Sequence, residues 1–247
     1  MLKTYRADLH IHTCLSPCAD LTMSPKRVVE RAVKMGIDII GICDHNSAEN
    51  VRAAVAAAKN KNITVLPGME ITSIEEVHIL GIFREIEPLL NLQEIIYEHL
   101  APGRNNEEVF GEQIIANEFD EVEAYNPRLL LSATSLTLKN VVEEIHKMGG
   151  IAVAAHIDRE AFSILGQLGF IPENLDLDAL EVSLITPARA AEMFPGVRHF
   201  PFITSSDAHE LENIGRHVSK FLLEEPTFHE IRKAFRKDAG RALLMET

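Results

Sequence analysis

Eleven histidines in 247 residues matter less for their number than for where they fall. His10 and His12 form an H-x-H pair. Residues two apart on a strand point to the same side, so both imidazoles can reach one ion. Asp44-His45-Asn46 directly follows an apolar run. Glu70 stands in the otherwise apolar Gly68-Met69-Glu70-Ile71-Thr72, where an unpaired carboxylate would be costly to bury. A cation shared between ligands would be its partner, and a salt bridge to Arg or Lys is the plainer alternative. His78 opens a further strand-like run, His156 closes another, and Asp207 and His209 follow a third in Ser206-Asp207-Ala208-His209. Taken singly, each is an ordinary loop or strand residue. Taken together, separate strand ends each deliver His, Asp or Glu to one rim. Imidazole mixed with carboxylate suits zinc, manganese or iron and is too nitrogen-rich for a magnesium or calcium cage.

The elements that must position these residues alternate along the chain. Strands are predicted at residues 5–10, 37–43, 64–66, 69–72, 77–83, 151–155, 179–183, 202–205 and 218–223. Helices are predicted between them. One starts at Ser24-Pro25, with Ser as N-cap and Pro at the first position, and stops at Gly36. Others run from Asn46 or Ser47 to about Lys61, and over residues 137–148, 158–168, 187–194 and 227–239. Repeated strand-then-helix units imply a parallel sheet, and about seven of them imply a barrel, whose active site lies at the C-terminal ends of the strands. An open doubly wound sheet is the runner-up. Residues 89–136 break the rhythm and are read as a helical insertion, either a lid or a packing surface, within a single domain spanning residues 1–247.

Composition limits the function classes. Hydrophobic residues make up 46% of the chain, enough for a sizeable core without disulfide staples. No apolar run reaches a membrane-spanning length, and the N-terminus lacks the apolar stretch of a secretory signal. Three cysteines, Cys14, Cys18 and Cys43, are an odd number and point to a reducing cytoplasm. The formal net charge of −13 argues against sequence-independent grip on a long nucleic acid. It leaves room for a small anionic substrate held through bound cations.

In this order, Asp8-Leu9-His10-Ile11-His12-Thr13, Asp44-His45, Glu70, His78-Ile79-Leu80-Gly81, His156 and Ser206-Asp207-Ala208-His209 resemble the PHP family, the polymerase and histidinol phosphatase domain. The resemblance implies a distorted (β/α)7 TIM-like barrel, two to three divalent ions (Zn, Mn or Fe) and hydrolysis of phosphate esters by a metal-activated hydroxide. It assigns His10, His12, Glu70 and Asp207 to one ion, and Glu70 with His78 and His156 to a second. His45, His209 and a loop ligand would hold a third. Family members commonly carry His or Asp at the loop position. Here the loop offers Cys18 in the ungapped register and Asp20 two residues on, with Cys18 slightly preferred because its thiolate suits zinc or iron. Asp44 is expected to orient a ligand histidine.

Arg159 and Arg216 lie in loops suited to gripping phosphate, with Arg104 a weaker candidate. His99, His146, His199, His217 and His229 are read as non-catalytic, and Cys14 and Cys43 as small buried residues. The expected substrate is a small phosphomonoester or nucleotide-like molecule. The rivals are an amidohydrolase-like metal hydrolase, which also begins with H-x-H, and a non-catalytic metal-binding regulatory module.

Overall fold

The computed structural model describes residues 1–244. Strand β1 (Lys3–Ile11) becomes fully buried toward its C-terminal half. Helix α1 (Pro25–Lys34) starts on its proline, but the Ser24 hydroxyl donates to the Asp120 carboxylate instead of capping it. Strand β2 (Ile39–Ile42), helix α2 (Val51–Ala57) and strand β3 (Thr64–Thr72) follow. The two short extended pieces expected around Pro67-Gly68 are one continuous strand. Helix α2 begins later than Asn46 or Ser47. The Asn46 amide instead donates to the Leu130 and Ser132 carbonyls, and the Ser47 hydroxyl pairs with Tyr97.

Strand β4 (His78–Ile82) leads to helix α3 (Ile86–His99) and a single turn, α4 (Glu107–Phe110). Next comes a hairpin of β5 (Ile114–Ala116) and β6 (Val122–Tyr125). The helical insertion expected over residues 89–136 is therefore corrected: beyond α3 its ordered pairing is the hairpin. Only the first part is a long helix, because only α3 has an apolar face (Leu89, Leu92 and Ile96) to bury against the core. Helix α5 (Leu138–Lys147), strand β7 (Ile151–Ala154), helix α6 (Ile164–Leu168), strand β8 (Ala179–Val182) and helix α7 (Pro187–Met193) follow. Strand β9 (Phe202–Thr204), strand β10 (Ser219–Leu223), helix α8 (Phe228–Phe235) and strand β11 (Ala242–Leu244) end the described chain. Helix α6 is much shorter than the predicted 158–168. Asp158 spends its carboxylate on the backbone N–H groups of Ser183, Leu184 and Ile185.

Among the described residues, nine strands form one sheet in the order β11-β10-β1-β2-β3-β4-β7-β8-β9. It curls until its β9 edge returns to β1. Ile11 pairs with Ala208, the His12 N–H donates to the Ala208 carbonyl at 3.1 Å, and the Thr204 N–H donates to the Ser219 hydroxyl at 2.9 Å. The result is a nearly closed barrel with helices outside, not an open doubly wound sheet. It is not a uniform parallel repeat. Strand β4 runs antiparallel to both β3 and β7, and β10 and β11 extend the β1 edge in antiparallel fashion.

Side-chain parity divides the core into two layers. Ile40, Ile42, Met69, Ile71, Ala152 and Ala154 face the helices. Leu9, Ile39, Cys43, Leu66, Val153, Ala179 and Phe221 fill the barrel, with α8 packed against them through Phe228 and Phe235. On β1 the alternation slips. Leu9 belongs to the inner layer and Ile11 to the outer, because the register shifts between Asp8 and Ile11. Bulges of this kind re-aim side chains near active sites. Among the described residues no helix is long and apolar enough to cross a membrane, and all three cysteines are free thiols.

Gly41 lies where β2 passes this irregular part of β1, and a Cβ there would collide with the Leu9 carbonyl. Backbone cannot swing aside as a flexible side chain can. Gly41→Ala is expected to cost about 1–3 kcal/mol or more in urea unfolding. Gly196→Ala, where nothing lies near the added methyl, should stay within about 0.5 kcal/mol.

Candidate metal centre

Glu70 is the inward residue of β3 next to the mouth, and its strand register explains its neighbours. The Asp44–Asn46 loop continues the ladder past the end of β2. The Glu70 N–H donates to the Asp44 carbonyl at 3.0 Å, and the Asn46 N–H donates to the Glu70 carbonyl at 2.8 Å. His45 is thereby carried alongside Glu70. Because β4 is antiparallel, its first residue, His78, sits opposite Thr72 at the end of β3. A histidine that opens a strand thus reaches the same rim as those that follow strands. His156 and Asp207 lie just past β7 and β9 with φ values of 30° and 48°. These are left-handed conformations that non-glycine residues hold only when their surroundings enforce them. They turn both side chains inward.

The side chains converge on Glu70. One carboxylate oxygen lies 2.8 Å from His78 Nδ1, 3.2 Å from His156 Nε2 and 3.4 Å from His10 Nε2. The other lies 3.0 Å from His45 Nδ1 and 3.4 Å from His12 Nε2. Asp207 Oδ1 is 3.0 Å from His12 Nε2 and 3.3 Å from His10 Nε2. The two Nε2 atoms of His10 and His12 are themselves 3.1 Å apart. His45 Nδ1 and His78 Nδ1 are buried without a properly aligned hydrogen bond, despite their closeness to Glu70.

Tautomers decide what this crowd means. His10 Nδ1 faces a Glu181 oxygen at 3.0 Å and must donate to it. His12 Nδ1 lies 2.9 Å from the Ser16 hydroxyl. That hydroxyl donates to Asp44 at 2.7 Å, so it accepts from His12. Both Nε2 atoms therefore present lone pairs, side by side, to carboxylate oxygens. Lone pairs facing lone pairs in a buried space require positive charge between them, supplied by protons or by bound cations. Three overlapping sets have ligand atoms close enough to share an ion: His10, His12 and Glu70; His45, Glu70 and His78; and His12, His45 and His209. The donor chemistry fits divalent metals.

Charge coupling is strong throughout the cluster: although burial opposes it, Asp207, Glu181 and Glu70 hold the His10 imidazole well above its ordinary range, and Glu70 and Cys18 raise His45 to about 10. Burial alone would raise the Glu70 carboxyl, but the imidazoles of His78, His10 and His45 hold it well below the usual carboxylate range. Burial likewise pushes Asp207 up, and His10 and His12 bring it far down. Burial drives His12 well below the usual imidazole range, with His209 adding to the effect. It is thus the neutral imidazole a metal takes.

The loop residues separate clearly. Cys18 lines the cavity over the cluster, and its thiol faces His209 and His45. Burial would raise this thiol, but those two imidazoles bring it down to about 7, within reach of thiolate at neutral pH. Asp20 lies outside the cavity lining, fully exposed, and accepts from the Thr22 N–H. Asp44 reaches the cluster indirectly. It accepts from the Thr13 N–H, the Thr13 hydroxyl and Ser16, and Ser16 in turn holds His12. Arg159 lines the cavity, with its guanidinium 2.7 Å from Asp207 Oδ2. Arg216 does not join it and lines a separate groove with Arg6 and Thr186. Arg104 is exposed on the insertion and lies outside the cavity lining. His99, His146, His199, His217 and His229 also lie outside it.

Two acids were missed in the sequence. Glu181 is fully buried and accepts from His10 Nδ1 and from the His156 N–H at 3.1 Å. Its signal was available: one carboxylate in the apolar strand Ala179–Val182. Asp8 is fully buried and accepts from the N–H groups of Ser206 and Gly215 at 2.9 and 3.0 Å. It fastens the Asp207–His209 loop to β1, and burial pushes its carboxyl up to about 6.

A family model described as the PHP domain matches residues 8–176, and one described as PHP-associated matches residues 189–239. The chain belongs to the PHP domain family. The uncharacterized protein YqxK of Bacillus subtilis (strain 168) is 25% identical, over 98% of this chain and 65% of its own length. A 5'-3' exoribonuclease of Haemophilus influenzae is 26% identical, over 63% of this chain and 69% of its own. Among solved structures, the lesion-specific endonuclease Q of Pyrococcus furiosus superposes with a TM-score of 0.78 at 20% identity, covering 98% of this chain and 58% of that one. The chain therefore spans less than two thirds of YqxK and of endonuclease Q.

Removing the Glu181 acceptor should leave the His10 tautomer unsupported. Glu181→Ala is expected to weaken metal retention about 10–100-fold, read by competition with a chelator, with far-ultraviolet circular dichroism checking that the fold stays native.

Proposed function

We propose that this PHP-domain chain is a metal-dependent phosphoesterase acting on nucleotide-like substrates. The observation that carries the reading is the convergence of imidazole lone pairs and carboxylate oxygens around Glu70. His10, His12, Glu70 and Asp207 would hold one ion, and Glu70 with His78 and His156 a second. His45 and His209, with Cys18 as the loop ligand, would hold a third. Divalent ions bound there would supply an activated water and offset the charge that develops on phosphorus oxygens.

The chain's own residues do the rest. Glu181 keeps the His10 proton on Nδ1, and Ser16 keeps the His12 proton on Nδ1. Each Nε2 is thereby left free to coordinate. Arg159, already paired with Asp207 and open to the cavity, would grip a phosphate oxygen.

Substrate size follows from charge and from the relatives together. Two of these relatives are named for nuclease activities, a 5'-3' exoribonuclease and a lesion-specific endonuclease, which supports a nucleic acid or a fragment of one over an unrelated phosphomonoester. The net charge of −13 opposes sequence-independent grip on a long phosphate backbone. A nucleotide or the end of a short strand satisfies both.

Two measurements test this. Elemental analysis with hydrolysis of a short oligonucleotide and of an aryl phosphate should give about two to three metal equivalents for the wild type. Turnover should be lost in His10→Ala. An apo protein inactive on every phosphate ester after reconstitution with manganese or zinc, or one active only on amides, would sink the reading. Separately, Cys18→Ser should bind about one equivalent fewer of zinc, whereas Asp20→Asn should match the wild type. The reverse pattern would make Asp20 the loop ligand.

A further inference from the structure

The cavity over the imidazole cluster, of about 360 Å³, has one wall that neither metal nor phosphate needs: Leu131, Ala161 and Phe162. Phe162 belongs to none of the buried apolar clusters and leaves 42% of its surface exposed. Its ring lies nearly parallel to His78, with centroids 4.7 Å apart and planes 17° from parallel. Its backbone sits at φ 56°, a genuine outlier for a bulky side chain and one that glycine would adopt freely.

The conformation is enforced from both sides. The Phe162 carbonyl accepts from the His78 N–H at 2.9 Å. The next residue, Ser163, caps α6 by accepting from the Gly166 N–H, and its hydroxyl donates to the Arg159 carbonyl. The backbone that carries the ring is thus held between β4 and α6, one ring face lies against His78, and 42% of the residue stays exposed.

We propose that Phe162 is the stacking platform for an aromatic base of the substrate, with Leu131 and Ala161 completing an apolar slot beside the phosphate-binding cluster. The proposal rests on the phosphoesterase reading and specifies its substrate as a nucleotide unit. Charge supports it. An acidic chain gains little from ion pairs along a phosphate backbone, so beyond the one phosphate held at the metal cluster and Arg159, further affinity for a nucleotide would come from uncharged contacts. Base–aromatic stacking is the sequence-tolerant contact of that kind. Leu131 also borders a smaller apolar pocket of about 150 Å³ beside Phe110 and Leu129, which extends the same surface away from the metal cluster.

The test uses the metal-loaded protein and two hydrolysis-resistant probes. One is a phosphorothioate-linked trithymidylate; the other is the same backbone with every base replaced by an abasic tetrahydrofuran. Calorimetry should show the wild type binding the base-bearing strand about 5–150-fold more tightly, the range for stacking one base. Phe162→Ala should bring that ratio close to one, and Phe162→Trp should preserve it. A wild-type ratio near one, or a ratio untouched by Phe162→Ala, would overturn the proposal. So would an equal loss for both probes in Phe162→Ala accompanied by loss of bound metal, because the ring would then serve only to position His78. Base-dependent binding that survives alongside no turnover of unmodified trithymidylate, of thymidine monophosphate or of an aryl phosphate would overturn the phosphoesterase reading while supporting the platform.

Discussion

Five imidazoles approach one buried carboxylate, Glu70, and the arrangement is tenable only if positive charge sits among them. In the absence of ions that charge must be protons, which the carboxylates then hold by pairing. With ions, the same atoms become ligands and the protons leave. Metal binding and protonation therefore compete for one set of lone pairs, so affinity must fall as pH drops. The rest of the architecture serves to keep these atoms from relaxing apart.

The barrel does this by breaking its own regularity at the rim. A uniform parallel repeat would send the start of β4 to the wrong end. Running it backwards puts His78 beside Glu70. On β1, a regular alternation that put Leu9 inside would turn His10 outward; the register shift before Ile11 brings His10 to the interior. Left-handed backbone at His156 and Asp207 makes the same correction at two strand ends. Each departure costs local stability and is over-determined by neighbours: Glu181 beneath His10 and His156, Ser16 and Asp44 beneath His12, and Asp8 beneath the Asp207 loop.

The segment between β4 and α5 is tied to this rim and not left loose. Asn46 holds the carbonyls of Leu130 and Ser132. Asn50 donates to the Ile114 carbonyl and accepts from the Ala116 N–H. These amides belong to the same loop region that delivers Asp44 and His45, so the wall of the cavity is registered to the metal ligands. That registration is what allows Leu131 to line the cavity over the cluster from a segment outside the barrel sheet.

The candidate ligand positions were legible in the sequence because each is a His, Asp or Glu at an abrupt end of an apolar run, and strand ends in a barrel share a rim. The family was legible for the same reason, since the order of those residues is its signature. The choice between Cys18 and Asp20 was not, because two residues of loop can point anywhere until their backbone is folded. Arg159 and Arg216 looked equivalent by spacing, yet only the first reaches the cavity. Glu181 read as part of a strand, since its role depends on His10, which is distant in sequence. The hairpin escaped notice because its strands are short and largely exposed, so no burial pattern marks them. Sequence alone determined the ligand chemistry, which is a property of residue types and their periodicity. Tertiary structure decided the tautomers, the supporting acids, the antiparallel β4 and the aromatic wall. All of these arise from contacts between segments far apart in the chain, which local pattern cannot encode.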